Sequence, residues 1–73
     1  MYGIGSAIYD GLLTHVNGNA YAFREKQEQI ESGASICDFD TKEDTMDYIE
    51  EMWKKTFFFV GDVPYPVYLG DNP

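Results

Sequence analysis

The segment of residues 38–55, DFDTKEDTMDYIEEMWKK, constrains the fold more than any other part of this chain of 73 residues. Thr41 is a favourable helix N-cap, and Asp44 three residues later completes a capping box, in which each side chain accepts from a free backbone N–H group of the other residue. Acidic residues in the first turns and two lysines near the end complement the helix dipole. The sequence therefore predicts one principal helix over about residues 41–55.

The predicted helix is amphipathic at about 100° per residue. One arc of roughly 120° holds apolar side chains, and we expect it to pack on a sheet: Met46, Ile49, Met52 and Trp53. The opposite arc holds five carboxylates, and we expect it to face solvent: Glu43, Asp44, Asp47, Glu50 and Glu51.

The charge of the chain is concentrated in the same segment. Asp38 and Asp40 extend the acidic row, so residues 38–51 carry seven carboxylates against one lysine, or -6 of the net charge of -8. Capping and the helix dipole account for acids in the first turn, but they do not account for Glu50 and Glu51. A protein this acidic repels nucleic-acid phosphates and anionic lipids and attracts basic surfaces. We therefore expect no direct binding to nucleic acid or membrane, and a basic protein partner such as a nucleic-acid-binding host protein.

Length and composition predict a single small domain, residues 1–73, near the lower size limit for a hydrophobic core without disulfides or metals. A hydrophobic content of 44% with 16% aromatic residues is too high for a disordered acidic tail. The one cysteine, Cys37, has no partner for an internal disulfide, which favours a reducing cytoplasm and a buried, unreactive side chain. No window approaches the roughly 20 apolar residues of a membrane helix.

The N-terminal residues are compatible with two structures. Aliphatic residues recur every four positions from Ile4 to Val16, which is typical of a helix, but each of the intervening glycines disfavours a helix by about 1 kcal/mol. Asp10-Gly11 and Asn17-Gly18 are instead dipeptides that type I′ hairpin turns prefer. We favour the second interpretation, a meander with strands over residues 4–9, 12–16 and 20–23.

Two further segments lie between this meander and the helix. Residues 24–33 contain strong helix formers closed by Ser32-Gly33, and either form a short helix or extend the preceding strand. Residues 34–40 are predicted to form a strand with Cys37 and Phe39 on one face.

The last third is aromatic and rich in proline. Residues 57–60, FFFV, have the composition of a buried strand. Residues 63–69 contain two prolines and must be extended, which places them at a sheet edge or in a wrapping tail within an extended C-terminal segment, residues 63–73. Tyr65 and Tyr68 are candidates for an exposed contact surface. The complete prediction is an α+β fold, with a small antiparallel sheet of three to five strands packed on one principal amphipathic helix.

The sequence contains none of the common catalytic or nucleotide-binding motifs GxGxxG, P-loop, GxSxG, CxxC and HExxH. His15 has no partners at metal-ligand spacing, and Asp38 and Asp40 match only the start of a calcium loop because Lys42 occupies the next ligand position. We expect no enzymatic activity, no cofactor and no metal.

Two functions of different kinds follow from these features. The first is an inhibitor that places its acidic row on a basic nucleic-acid-binding surface. The second is a structural or assembly module that forms a homodimer or docks through its aromatic strand and C-terminal tail, and a third possibility is an acidic face that only confers solubility. The candidate partner-binding residues are Asp38, Asp40, Glu43, Asp44, Asp47, Glu50, Glu51, Tyr65 and Tyr68.

The heptapeptide DFDTKED at residues 38–44, followed by Tyr48-Ile49 and Trp53, resembles a passage in small phage-encoded anti-CRISPR proteins of type I-F. The size and acidity of the chain are similar to those of phage DNA-mimic inhibitors. The resemblance covers about 16 of the 73 residues, and the N-terminal 33 residues and the Pro/Tyr tail lie outside it. It implies an α+β fold with an antiparallel sheet and an activity that blocks a nucleic-acid-guided effector complex.

Overall fold

A computed structural model describes residues 1–70 and shows an α+β fold, as predicted. The described residues form five strands, one α-helix and a short 3₁₀ turn: β1 (Tyr2–Gly5), β2 (Leu12–Val16), β3 (Asn19–Arg24), the 3₁₀ turn (Gln27–Gln29), β4 (Ala34–Ile36), α1 (Lys42–Lys54) and β5 (Tyr65–Tyr68). The predicted C-terminal segment 63–73 is described up to residue 70, and its last three residues lie outside the described part.

The strands form two antiparallel sheets, β1–β5 and β3–β2–β4. The segment after β4 joins them through backbone hydrogen bonds. The Cys37 N–H donates to the Leu13 carbonyl at 3.0 Å, and Phe39 exchanges two bonds of 2.8 and 2.9 Å with Tyr2 of β1. The segment predicted as one strand, residues 34–40, therefore pairs with β2 in its first part and with β1 at Phe39.

One of the two predicted hairpin turns is present. Asn17 and Gly18 have φ angles of 52° and 84°, as a type I′ turn requires, and they join β2 to β3. The prediction of a turn at Asp10-Gly11 is wrong, because β1 ends at Gly5 instead of residue 9 and pairs with β5 instead of β2.

A side-chain network explains why β1 is short. The Ser6 hydroxyl accepts from the N–H groups of Ile8 and Tyr9, both at 3.1 Å, and donates to Asp62 Oδ1 at 2.8 Å. The same carboxylate oxygen accepts from the Ala7 N–H at 3.0 Å. Side chains thus satisfy the N–H groups that a longer strand would donate to a neighbour.

Residues 24–33 form neither the predicted helix nor an extension of the strand beyond Arg24. Only Gln27–Gln29 are helical, in a single 3₁₀ turn. The Gln29 Oε1 atom accepts from the N–H groups of Glu25 and Lys26, each at 2.9 Å. These local bonds satisfy the backbone without a longer regular element.

The helix α1 begins and ends within one residue of the prediction. Thr41 is the N-cap, and its hydroxyl accepts from the Asp44 N–H at 3.1 Å. Acidic residues in the first turn and Lys54 in the last turn complement the dipole. Within residues 1–70, no helix has both the length and the apolar content that crossing a bilayer would require.

The predicted buried stripe of α1 is wrong at two positions. Ile49 and Met52 are buried, but Met46 and Trp53 are each 47% exposed. Thr45 is completely buried instead, and its hydroxyl donates to the Thr41 carbonyl at 2.9 Å. Because the helix backbone satisfies this hydroxyl, a polar residue can occupy the packed face.

The core lies between the two sheets and α1, which packs against β1 and β5. Its buried apolar residues are Ile4, Leu13, Cys37, Ile49, Met52 and Phe58. Half-buried residues, including Phe39 and Tyr48, surround them.

The prediction of a buried strand at residues 57–60 is wrong. The Phe57 N–H donates to the Met52 carbonyl at 3.1 Å and the Thr56 N–H to the Trp53 carbonyl at 2.9 Å, which is the Schellman pattern of a helix C-terminus. The backbone N–H groups at this end of the helix therefore bond locally instead of pairing with a strand. Phe58 is buried, whereas Phe59 is 64% exposed.

Of the two positions predicted for the proline-rich segment, a sheet edge or a wrapping tail, residues 65–68 occupy the sheet edge. β5 pairs with β1 on one side only, and Pro66 lies within it. A proline is tolerated there because an edge strand does not need every N–H group for pairing.

Candidate functional site

The seven carboxylates predicted for partner binding are all exposed, and we refer to them together as the acidic face: Asp38, Asp40, Glu43, Asp44, Asp47, Glu50 and Glu51. The single salt bridge within residues 1–70 joins Arg24 to Glu31. No carboxylate of the acidic face is therefore paired with a base in the described part of the chain. No neighbouring base cancels the electrostatic potential of these carboxylates. At physiological ionic strength this potential decays over about 8 Å.

The helix gives five of these carboxylates a regular spacing. At 1.5 Å rise per residue, Glu43 and Glu51 are separated by about 12 Å along the axis of α1. Glu43 and Asp44 also interact favourably with the helix dipole, whereas Asp47, Glu50 and Glu51 lie beyond its first turn. These last three carboxylates form no salt bridge in the described part of the chain, and we regard them as the strongest candidates for a functional role.

The two tyrosines predicted as contacts lie on β5 and do not share a face of it. Tyr65 and Tyr68 are 46% and 59% exposed, but residues three positions apart in a strand point to opposite sides. The Tyr68 ring meets Tyr2 edge-on at 5.4 Å. Tyr65 packs where a side chain at Gly5 would otherwise be, since a Cβ atom there would lie 2.9 Å from its ring.

The described residues contain no group of three or more His, Cys, Asp or Glu side chains placed to hold a metal ion. The one histidine has a local structural role instead. His15 Nδ1 accepts from the Gly18 N–H at 3.0 Å and supports the turn between β2 and β3.

Cys37 is 4% exposed, and burial raises the pKa of its thiol to about 11. Burial also raises the pKa of the neighbouring Tyr48 to about 12. A thiol with a raised pKa is a poor nucleophile at neutral pH, so Cys37 has the properties of the buried apolar residue that the sequence predicted.

A second surface feature was not predicted. A half-open cavity of about 340 Å³, which we call the aromatic cavity, lies between β3, the loop after β1 and the segment after α1. Aromatic rings form most of its wall: Tyr9, Tyr21, Phe23, Phe57, Phe58 and Phe59.

The rings of the aromatic cavity contact one another at different angles. Tyr9 stacks on Phe23 with centroids 5.7 Å apart, and it is tilted by 44° to Phe59 at 6.1 Å. Phe57 and Phe58 meet edge-on at 5.3 Å. A group inside the cavity therefore meets aromatic surfaces of several orientations.

Two charged residues complete the wall of the aromatic cavity. The Arg24 guanidinium donates from Nε to Glu31 Oε1 at 3.1 Å and lies 5.9 Å from the Tyr21 ring centroid. Hydrogen bonding within this pair raises the pKa of Arg24 and lowers the pKa of Glu31, so both groups stay charged and neutralise each other. Asp62 is 3% exposed, and its Oδ2 atom is buried without a hydrogen-bond partner among residues 1–70.

Comparisons of the chain with models of known protein families, with curated proteins and with solved structures gave no match.

Proposed function

We propose that this protein is an acidic inhibitor that binds a basic, nucleic-acid-binding surface of a partner protein through its acidic face. One observation carries the proposal. Seven exposed carboxylates stand on and directly before one helix, and none of them forms a salt bridge within the described residues. A surface that serves solubility alone needs no such segregation, because mixing both signs of charge achieves it.

The spacing of these carboxylates supports competition with nucleic acid. The part of α1 from Glu43 to Glu51 is about 12 Å long, and one strand of B-DNA carries three to four phosphates over that distance. The helix is fixed by its packing against β1 and β5, so its charges need little ordering when they bind. Lysine and arginine side chains that normally hold phosphates would meet carboxylates at a similar density. A nucleic-acid-guided effector complex, the target class implied by the anti-CRISPR resemblance, is one partner of this kind.

The alternative function, an assembly module, has less support. Its principal element was an aromatic strand at residues 57–60, and that segment does not form a strand. The edge strand β5 remains available, but it contains Pro66, and prolines discourage the addition of a further strand.

A matched pair of triple variants tests the proposal. The first variant replaces carboxylates of the acidic face by isosteric amides: Asp47→Asn, Glu50→Gln and Glu51→Gln. The control makes the same change in net charge at exposed carboxylates elsewhere: Asp10→Asn, Glu25→Gln and Glu28→Gln. The partner is captured from a host lysate with the unmodified protein, identified by mass spectrometry and purified for affinity measurements.

We expect the acidic-face variant to bind at least tenfold more weakly and the control to change affinity by less than about threefold. The affinity of the unmodified protein should fall steeply between about 0.1 and 0.5 M salt, and the partner's nucleic acid should compete with it. If both variants fold and bind equally well, the acidic face is not the binding surface.

A further inference from the structure

We propose that the aromatic cavity binds a quaternary ammonium group, the trimethylated headgroup of a small molecule or of a trimethyllysine side chain. The inference is independent of the acidic face, because none of its seven carboxylates lines the cavity. A volume of about 340 Å³ falls within the roughly 300–1,000 Å³ that ligand sites occupy.

The aromatic walls of the cavity favour a cation. Aromatic faces carry partial negative charge and attract a cation that lies within about 6 Å of the ring centroid. Tyr9 and Phe59 both line the cavity with their rings tilted by 44° to each other, and they expose 44% and 64% of their surface. A quaternary ammonium group suits such a wall because its methyl groups are apolar, carry the positive charge and donate no conventional hydrogen bonds.

The buried carboxylate of Asp62 also favours a cation in the cavity. Its Oδ1 atom accepts from the Ser6 hydroxyl and the Ala7 N–H, but Oδ2 has no partner in residues 1–70. A buried carboxylate with incomplete hydrogen bonding is unfavourable unless a positive charge lies nearby. A cation in the cavity would supply that charge across the wall that Asp62 helps to form.

Arg24 does not make the net charge at the cavity wall positive. Its guanidinium is neutralised by Glu31 and already covers part of the Tyr21 ring. Asp62 is therefore the charged group at the cavity wall that has no ion-pair partner among residues 1–70, which favours a cation over an anion or an uncharged ligand.

The test is a titration of the ¹⁵N-labelled protein with choline chloride, followed by amide NMR shifts. Its neutral isostere 3,3-dimethylbutan-1-ol is titrated in parallel, since it has the same shape without the charge. For so small a ligand we expect a dissociation constant on the order of 1 mM for choline, with shifts confined to the cavity, and at least tenfold weaker binding of the alcohol.

Variants of exposed rings separate a specific site from a general effect. We expect Tyr9→Leu and Phe59→Leu each to weaken choline binding by about fivefold to tenfold, because each removes one aromatic face and leaves an apolar side chain. Tyr68→Leu is the control, since this exposed aromatic residue lies outside the cavity. Asp62→Asn should weaken binding more than tenfold, and the two ring variants decide the question if this variant does not fold.

A peptide carrying trimethyllysine, compared with the same peptide carrying unmodified lysine, identifies the source of the headgroup. Tighter binding of the methylated peptide than of choline would assign the site to a protein ligand, and the reverse order would assign it to a small molecule. Equal binding of choline and the alcohol, or no saturable shifts with choline or either peptide at roughly 50 mM, would overturn the proposal.

Discussion

Thr56 ends the helix in a backbone conformation that its side chain disfavours. Its φ angle is 55°, in the left-handed region, and the N–H groups of Thr56 and Phe57 close the Schellman motif. A residue with a Cβ atom loses roughly 1–2 kcal/mol in this region relative to glycine. Glycine regains only part of that difference as net stability, because its unfolded chain is more flexible by about 0.5–1 kcal/mol.

The preceding residue provides a matched comparison. Lys55 has φ of -86°, which any residue adopts, so glycine there adds only flexibility to the unfolded state. We therefore expect Thr56→Gly to be more stable than Thr56→Ala by about 0.5–1 kcal/mol, and Lys55→Gly to be less stable than Lys55→Ala by a similar amount. The glycine and alanine variants at each position have both lost the original side chain. Comparing them therefore removes the effect of losing the Thr56 hydroxyl or the Lys55 charge.

Urea and thermal unfolding of the four variants, followed by circular dichroism, measure both differences. In a domain of this size, 1 kcal/mol shifts the midpoint by roughly 4–8 °C, so opposite signs at adjacent positions are readily resolved. If alanine is as stable as glycine at position 56, the left-handed end of α1 is incorrect. The segment 57–59 would then lack the anchor that places it in the wall of the aromatic cavity.

Three further substitutions or measurements test other parts of the structure. Gly11→Ala should destabilise the protein by more than about 3 kcal/mol in urea unfolding, because the new Cβ atom would lie 2.1 Å from the Arg24 carbonyl oxygen at a φ of 92°; a loss below about 1 kcal/mol would contradict this contact. Cys37 should react with iodoacetamide far more slowly in the folded than in the urea-unfolded protein at pH 8, since a thiol with a pKa of about 11 is roughly one part in a thousand thiolate there; equal rates, measured by mass spectrometry, would show that the thiol is accessible. Tyr48→Phe should change stability by less than about 1 kcal/mol in thermal unfolding, because the buried Tyr48 hydroxyl has no partner among residues 1–70 other than the Cys37 thiol, which bonds weakly; a loss of more than about 2 kcal/mol would reveal a stronger partner.

The elements that the sequence predicted well are those specified by neighbouring residues. The N-cap at Thr41 and the charge pattern behind it determine where α1 begins, and Asn17-Gly18 determines the turn between β2 and β3. Both signals act within a few residues, so tertiary structure did not need to be known.

The predictions that failed depend on partners far away in the chain. β1 pairs with β5, which lies at least 60 positions later in the chain. Asp62 accepts the Ala7 N–H that a longer β1 would have donated to a neighbouring strand. Thr45 lies on the packed face because its hydroxyl donates to the Thr41 carbonyl one turn earlier. A search for apolar residues at helical spacing does not detect a polar residue of this kind. At residues 57–60, β-propensity predicted a strand, but the helix end at Thr56 carries no glycine that would have revealed the left-handed turn.

The same distinction explains why the acidic face was visible in the sequence and the aromatic cavity was not. The acidic face is built on one helix and the two aspartates before it, so its carboxylates are close together in the chain. The aromatic cavity brings together a loop, β3 and the segment after α1, and Asp62 of the last segment accepts from Ser6 and Ala7 in the loop that carries Tyr9. One carboxylate oxygen bonds to this loop, while the other is buried without a hydrogen-bond partner among residues 1–70. The residue that shapes the cavity therefore also provides the charge by which it would select a cation, and neither role can be seen from the position of an aspartate after a glycine.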